Sequence, residues 1–162
     1  MDWTTLLFRF EGRINRARYW CAVLIYLATW IMFLIVALSW FVALQNDLYG
    51  FTGGTLAVWA VGITVLIAGT WSGLATGMKR LHDRDRSGWW MLLFMGAPTV
   101  IDWIGGWLNA GDSLVFQVPV WAITIWACVE LGLLRGTDGP NRYGPDPLAP
   151  READVANGLM RQ

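Results

Sequence analysis

The Lys and Arg residues of this chain are confined to three short stretches, and what lies between them is apolar. The stretches hold Arg9, Arg13, Arg16 and Arg18, then Lys79, Arg80, Arg84 and Arg86, then Arg135, Arg142, Arg151 and Arg161. Tyr19 to Leu44 carries no charge at all. As a helix it would run ~39 Å, more than the ~30 Å hydrocarbon core of a bilayer, so it must tilt or protrude. Thr55 to Met78, Trp89 to Leu108 and Val115 to Leu134 are further runs of membrane length. The pattern predicts an all-α polytopic membrane protein, a bundle of four transmembrane helices with spans at about 19–44, 55–78, 89–108 and 115–134. These form a single membrane domain over residues 1–148, followed by a mobile polar tail at 149–162.

Composition points the same way. Apolar residues make up 56% and charged residues 15% of the chain, and twelve Trp exceed soluble usage. The formal net charge is zero, so no global basic field recruits nucleic acid. Cys21 and Cys128 each lie inside an apolar run and are expected to be small, buried, reduced residues without a disulfide. The first apolar run starts late, is too long for a signal-peptide core and lacks a small-residue cleavage site, so no cleaved leader is expected.

Orientation follows from where the cations are. Asp47–Gly54 and Asn109–Leu114 are loops without Lys or Arg, whereas both end segments and the Lys79–Trp90 stretch are basic. Basic loops stay in the cytoplasm. The chain is therefore expected to be multi-pass, N-in and C-in, with Lys79–Trp90 forming a solvated hairpin at the cytosolic surface. Trp20, Trp89 and Trp90 then mark the inner interface, and Trp40, Trp59, Trp103, Trp107 and Trp121 the outer one. At the N-terminus Trp3, Leu6, Leu7 and Phe10 share one helical face opposite Asp2, Thr4, Thr5 and Arg9. This predicts a short amphipathic helix, lying in the headgroup plane or packed on the protein's own cytosolic loops, and ended by Gly12.

Within the runs, Gly69, Gly73 and Gly77 form a small-xxx-small stripe that suits close helix packing, within the monomer or across a dimer seam. Asp102 and Glu130 are the carboxylates in otherwise apolar runs. Glu130, near the cytosolic end of its span, needs a proton or a cation, and Arg13, Arg16, Arg80 and His82 lie at that level.

Three cytosolic segments carry a recognisable pattern. They are F-R-F-E-G-R-I-N-R-A-R-Y-W from Phe8, R-L-H-D-R-D-R-S-G-W-W from Arg80, and G-T-D-G-P-N-R-Y-G-P-D-P from Gly136. Together they resemble the domain of unknown function 805, the YhaH-like bacterial inner-membrane proteins. The resemblance spans about residues 5 to 148. It implies a small multi-span protein of the bacterial inner (cytoplasmic) membrane and implies no activity.

The candidate site is the cytosolic charge cluster of Arg13, Arg16, Arg80, His82, Asp83, Glu130, Asn141, Tyr143 and Asp146. Arg13, Arg16 and Arg80 can meet Asp83, Asp146 and Glu130, and Asn141 and Tyr143 sit in a Gly/Pro-rich turn. The cluster can be a clamp for helix ends, or a pocket for an anionic headgroup or phosphate. A single His excludes a His-rich metal site, and no P-loop, dinucleotide fingerprint or haem motif is present, so no metal or cofactor is expected. Ser87, His82 and Asp83 lack the spacing of a hydrolytic triad. Three functional classes follow. The preferred one is a non-enzymatic module whose Arg/Asp face binds membrane lipids, including anionic headgroups, or a membrane-protein partner or homo-oligomer. The others are a transporter or channel component using Glu130, and a lipid-headgroup enzyme using His82.

Overall fold

The computed structural model describes residues 3–45 and 51–149. Most of the predicted tail, and part of the loop expected at Asp47–Gly54, lie outside the described residues. Helices α1 (Trp3–Phe8), α2 (Arg16–Gln45) and α3 (Phe51–Asp83) are followed by a π-helical turn at Leu92–Gly96 and by α4 (Ala97–Trp107). Then come α5 (Leu114–Cys128) and a second π-helical turn at Val129–Leu133. Among the described residues there is no strand, only an isolated antiparallel bridge between Asn141 and Gly144. Three helices, Arg16–Gln45, Gly54–Asp83 and Leu114–Leu133, are long and apolar enough to cross a membrane.

Two boundaries differ from expectation. Helix α3 begins at Phe51, inside the expected outer loop, and continues to Asp83, through the first residues of the supposed solvated hairpin. Lys79, Arg80 and Asp83 are helical and buried, at 0%, 0% and 3% exposure. The charges do not end the helix, because its last turn has partners inside the protein. The stretch is half buried cluster and half loop.

The chain divides into two compact units. The first comprises Met1–Arg9 and Trp20–Thr76. Here α2 and α3 run antiparallel, since partners on α3 fall in number as those on α2 rise. The Tyr26 hydroxyl is 2.8 Å from Ser72 Oγ and 3.2 Å from Thr76 Oγ1. Gly62 lies under the Phe33 ring, and Trp40 Nε1 donates to Thr55 Oγ1 at 3.3 Å. Outward-facing Thr29, Ser39 and Thr64 donate to the carbonyl four residues back. That removes the cost of an unpaired hydroxyl in an apolar medium. Large apolar side chains are left bare along both helices, Leu24 at 61%, Met32 at 65% and Ile67 at 65% exposure. Such surfaces suit lipid and not water. Cys21 is exposed, as is Cys128 in the second unit, and the two are free thiols. The expectation that both are buried fails because their helix faces point outward. In α1 only Leu6 is buried, while Trp3 is 63% exposed.

The second unit comprises Phe10–Tyr19 and Gly77–Gln162. Asn15 caps the start of α2, its Oδ1 accepting from Arg18 N at 3.0 Å. Helix α4 packs on α5 where Gly105 meets Phe116. Trp90, Phe94 and Trp126 form a cluster with centroids 5.3–6.1 Å apart, Trp126 meeting the other two rings edge-to-face, and Arg86 lies over the Trp90 ring. Among the glycines expected to serve packing, Gly77 touches Met91, 2.6 Å from where a Cβ would stand. At Gly69 and Gly73 an added Cβ would meet nothing within 4 Å.

Candidate functional site

Inside the second unit, Arg13, Lys79, Arg80, Asp83 and Glu130 are buried beside Ile14, Leu81, Met91, Phe94 and Leu131. Arg80, with 0% exposure, donates Nε to Leu131 O at 2.8 Å, and its two terminal nitrogens donate to Asp83 Oδ2 and Leu134 O. Arg16 donates to Leu133 O at 3.0 Å. The final helix, closing in a π-turn, thus presents its last carbonyls to two guanidinium groups. Cations there satisfy acceptors that have no partner within the helix and complement its dipole.

Arg13 fills the other side of Asp83. Its Nε donates to Asp83 Oδ1 at 3.2 Å. One terminal nitrogen donates to Gly139 O at 2.7 Å and Gly144 O at 3.2 Å, the other to Thr137 O at 2.7 Å and Thr137 Oγ1 at 3.2 Å. Asp83 is therefore shared by two arginines, and its own carbonyl accepts from Thr137 N at 2.8 Å and Thr137 Oγ1 at 3.1 Å. Arg13, Asp83 and Arg80 tie together the segment before α2, the end of α3 and the C-terminal loop. Ile14 N adds a bond to Lys79 O at 3.4 Å.

Gly136 sits directly on the Asp83 carboxylate, so that any Cβ would overlap its oxygens. Gly136→Ala is expected to push the C-terminal loop off Asp83 and lower the unfolding temperature by several degrees. Circular dichroism melting in detergent checks this, and an unchanged midpoint would mean the loop can shift freely.

The Gly/Pro turn is built as its residue types suggest. Asn141 Oδ1 accepts from Tyr143 N at 2.9 Å, and Gly144 takes a φ of 134° that disfavours other residues. Asn141 Nδ2 donates to His82 O at 2.8 Å. The Tyr143 ring stacks on His82 with centroids 3.9 Å apart and planes 6° from parallel, and Arg142 lies 4.9 Å over Tyr143. His82 Nδ1 is 3.3 Å from Gly12 O. Asp146 accepts from Leu148 N at 2.9 Å and Gly139 N at 3.0 Å. These bonds, Leu148 first and then Gly139, hold its carboxyl below the usual aspartate range. The stability they add is present above the ordinary aspartate pKa and is lost as pH falls through the lowered value.

Glu130 is 3% exposed and belongs to a second cluster. Its Oε1 lies 2.8 Å from Arg86 Nε and 3.2 Å from Arg84 Nε. The expected partners Arg13, Arg16, Arg80 and His82 are elsewhere, because the chain turns after Asp83 and carries Arg84 and Arg86 past the last helix. These are charge contacts without aligned hydrogen bonds, and Arg84 Nε and Nη1 find no acceptor among the described residues.

The structure therefore gathers Arg13, Arg16, Arg80, His82, Asp83, Asn141, Tyr143 and Asp146 into one constellation and puts Glu130 in another. Sequence reasoning missed Thr137, Gly136, Arg84 and Arg86. Thr137 and Gly136 lie in the quoted C-terminal motif, but nothing local marks a threonine as a double partner of Asp83. A cavity of about 150 Å³ opens beside the first constellation, lined by Asn15, Arg16, Asp83, Arg135, Gly136, Thr137, Asp138, Asp146 and Leu148.

Known proteins place the chain in a family. The uncharacterized protein YiiR of Escherichia coli K12 is 30% identical over 149 residues, covering 86% of this chain and 86% of its own. The inner membrane protein YhaH of the same organism is 32% identical over 154 residues, covering 91% of this chain and 97% of its own. The inner membrane protein YhaI, also from E. coli, is 39% identical over 74 residues, or 46% of this chain. No solved structure matches. The family model DUF805, a protein family of unknown function, matches residues 7–145, and the chain belongs to that family.

Proposed function

We propose that the chain is an integral protein of the bacterial inner membrane, crossing it four times with both termini and the Lys79–Trp90 stretch in the cytoplasm. Its charged cytosolic face acts as a non-enzymatic module that binds lipid headgroups. The inner-membrane placement leans on the names of YhaH and YhaI and on the bare apolar surfaces of the long helices. A fourth span is supported by unbroken helical backbone from 90 to 107, through the π-turn, which reaches ~27 Å. The exposed Trp3 suits a first helix lying in the headgroup plane.

One observation carries the binding role. Each buried carboxylate is held by two arginines, Asp83 by Arg13 and Arg80, Glu130 by Arg84 and Arg86. Both clusters keep a positive charge, and buried Lys79 adds to it. Positive charge held at the ends of membrane helices attracts phosphate groups. The flat stacking of His82 on Tyr143 supports a structural role for the ring over acid–base work on a headgroup. Glu130, clamped between arginines, offers little to a proton or ion path.

Native mass spectrometry of the gently extracted protein tests the binding role. Wild type is expected to carry one or more phospholipids. A bare monomer would sink the headgroup role, and a stable homo-oligomer or co-purified membrane protein without lipid would replace it. For topology, alkaline phosphatase fused within 109–113 should be active, and a fluorescent protein fused after residue 149 should fold. The reverse pattern would overturn the orientation.

A further inference from the structure

We propose that the cavity beside Asp83 receives a zwitterionic phosphoethanolamine headgroup, its phosphate on Arg16 and Arg135 and its ammonium on Asp138 and Asp146. The inference rests on the headgroup-binding role above and narrows it to one ligand chemistry at one place.

The lining decides the class. Arg16 and Arg135 supply two guanidinium groups, while Asp138 and Asp146 supply two carboxylates, around a space of about 150 Å³; Asp83 also borders it, but its two oxygens are taken by Arg13 and Arg80. A purely anionic ligand would face the carboxylates, and a purely cationic one the guanidinium groups. A ligand bearing both charges a few bonds apart satisfies both. Arginine suits the phosphate end because its fork of donors can engage two oxygens at once. Carboxylates suit a primary ammonium because it has three donors and no acceptor.

The groups are held in place to different degrees. Arg16 is anchored through one nitrogen on Leu133 O. Asp146 is fixed by two backbone N–H groups, one on each oxygen, and stays ionised. Arg135 and Asp138 are exposed and make no hydrogen bond or ion pair within the described residues, which leaves their charges available. The volume is on the scale of a small headgroup. Leu148 gives one apolar lip toward which a glycerol backbone could lie. Depth fits as well. Arg16 opens the first membrane-length helix and Arg135 follows closely after the last, which ends at Leu133. Side chains at that level of a spanning helix meet phospholipid headgroups.

The test titrates the purified full-length protein in detergent with short-chain phosphatidylethanolamine, phosphatidylglycerol and phosphatidylcholine, read by native mass spectrometry. Wild type is expected to bind phosphatidylethanolamine about tenfold tighter than the other two, as one charge-assisted contact warrants. Phosphatidylcholine should bind weakly because its methylated nitrogen donates no hydrogen bond. Asp138→Asn should erase the preference over phosphatidylglycerol, and Arg135→Gln should weaken both lipids. Neither side chain holds the fold together, so unchanged melting curves accompany both variants. Equal or tighter binding of phosphatidylglycerol, or an Asp138→Asn variant with wild-type preference, overturns the zwitterion assignment and leaves the headgroup role standing. Wild type that binds no lipid overturns both. Free O-phosphoethanolamine that binds as tightly as the lipid would overturn the membrane as the source of the ligand.

Discussion

Asp83→Asn should collapse the first cluster, with a loss of about 3–5 kcal/mol of stability, the range seen when one partner is removed from a buried ion pair. The carboxylate is the common acceptor for Arg13 and Arg80, whose side chains are 1% and 0% exposed. Asparagine keeps the shape but loses the charge and replaces one acceptor oxygen with a donor. Two guanidinium groups would then share a buried space without a counter-charge. Chemical or thermal unfolding in detergent measures the effect. A double variant adding Arg80→Met should be less destabilised than the sum of the two changes, because the second substitution removes the charge that the first left unpaired. Strict additivity would mean that Asp83 and Arg80 do not depend on one another, and the clamp would lose its physical basis.

Arg13 yields the second large effect, and the choice of replacement separates charge from geometry. Arg13→Ala removes hydrogen bonds to Asp83, Thr137, Gly139 and Gly144 together. It should cost about as much as a broken buried pair, roughly 3–5 kcal/mol. Arg13→Lys retains the charge, but a single ammonium cannot reach acceptors on opposite sides of a planar fork. Lysine should therefore recover only part of the loss, on the order of 1–2 kcal/mol. Limited proteolysis reports the local consequence, since the loop from Thr137 to Gly144 should become cleavable in both variants before the helices do. If lysine restores full protection, Arg13 acts as a point charge, and its bonds to the three carbonyls matter little.

Both effects concern the fastener, which shares only Asp83 and the loop at Gly136 and Thr137 with the wall of the proposed ligand site, a division that local sequence did not reveal. Arg13, Arg16 and Arg80 look alike as basic residues beside apolar runs. In the folded chain Arg13 and Arg80 spend their donors on protein acceptors, while Arg16 stays exposed at a cavity rim. The difference comes from the acceptors that the fold brings to each guanidinium: Asp83 and the C-terminal loop carbonyls surround Arg13, Asp83 and the last helix's carbonyls surround Arg80, and Arg16 meets Leu133 O. Glu130 is similar. A buried acid near a helix end predicts a cation partner, yet which arginine serves depends on how the chain turns after Asp83.

What the amino-acid sequence by itself determined is the part ruled by water and lipid. Charge-free runs of membrane length, cations sorted into three stretches and tryptophans at run ends specify an all-helical chain with long apolar helices. They do so because the transfer free energy of each residue depends on its own side chain. The motif residues also announced themselves as a set, and Arg13, Arg80, Asp83, Asn141 and Tyr143 do meet. Only the tertiary structure decided the roles within the set: Asp83 divided between two arginines, Gly136 lying against its oxygens, Thr137 closing the latch, and Glu130 drawn to Arg84 and Arg86. Those choices join segments far apart in the chain. A buried charge takes whichever partner the packed helices bring within hydrogen-bonding distance, whatever its place in the sequence.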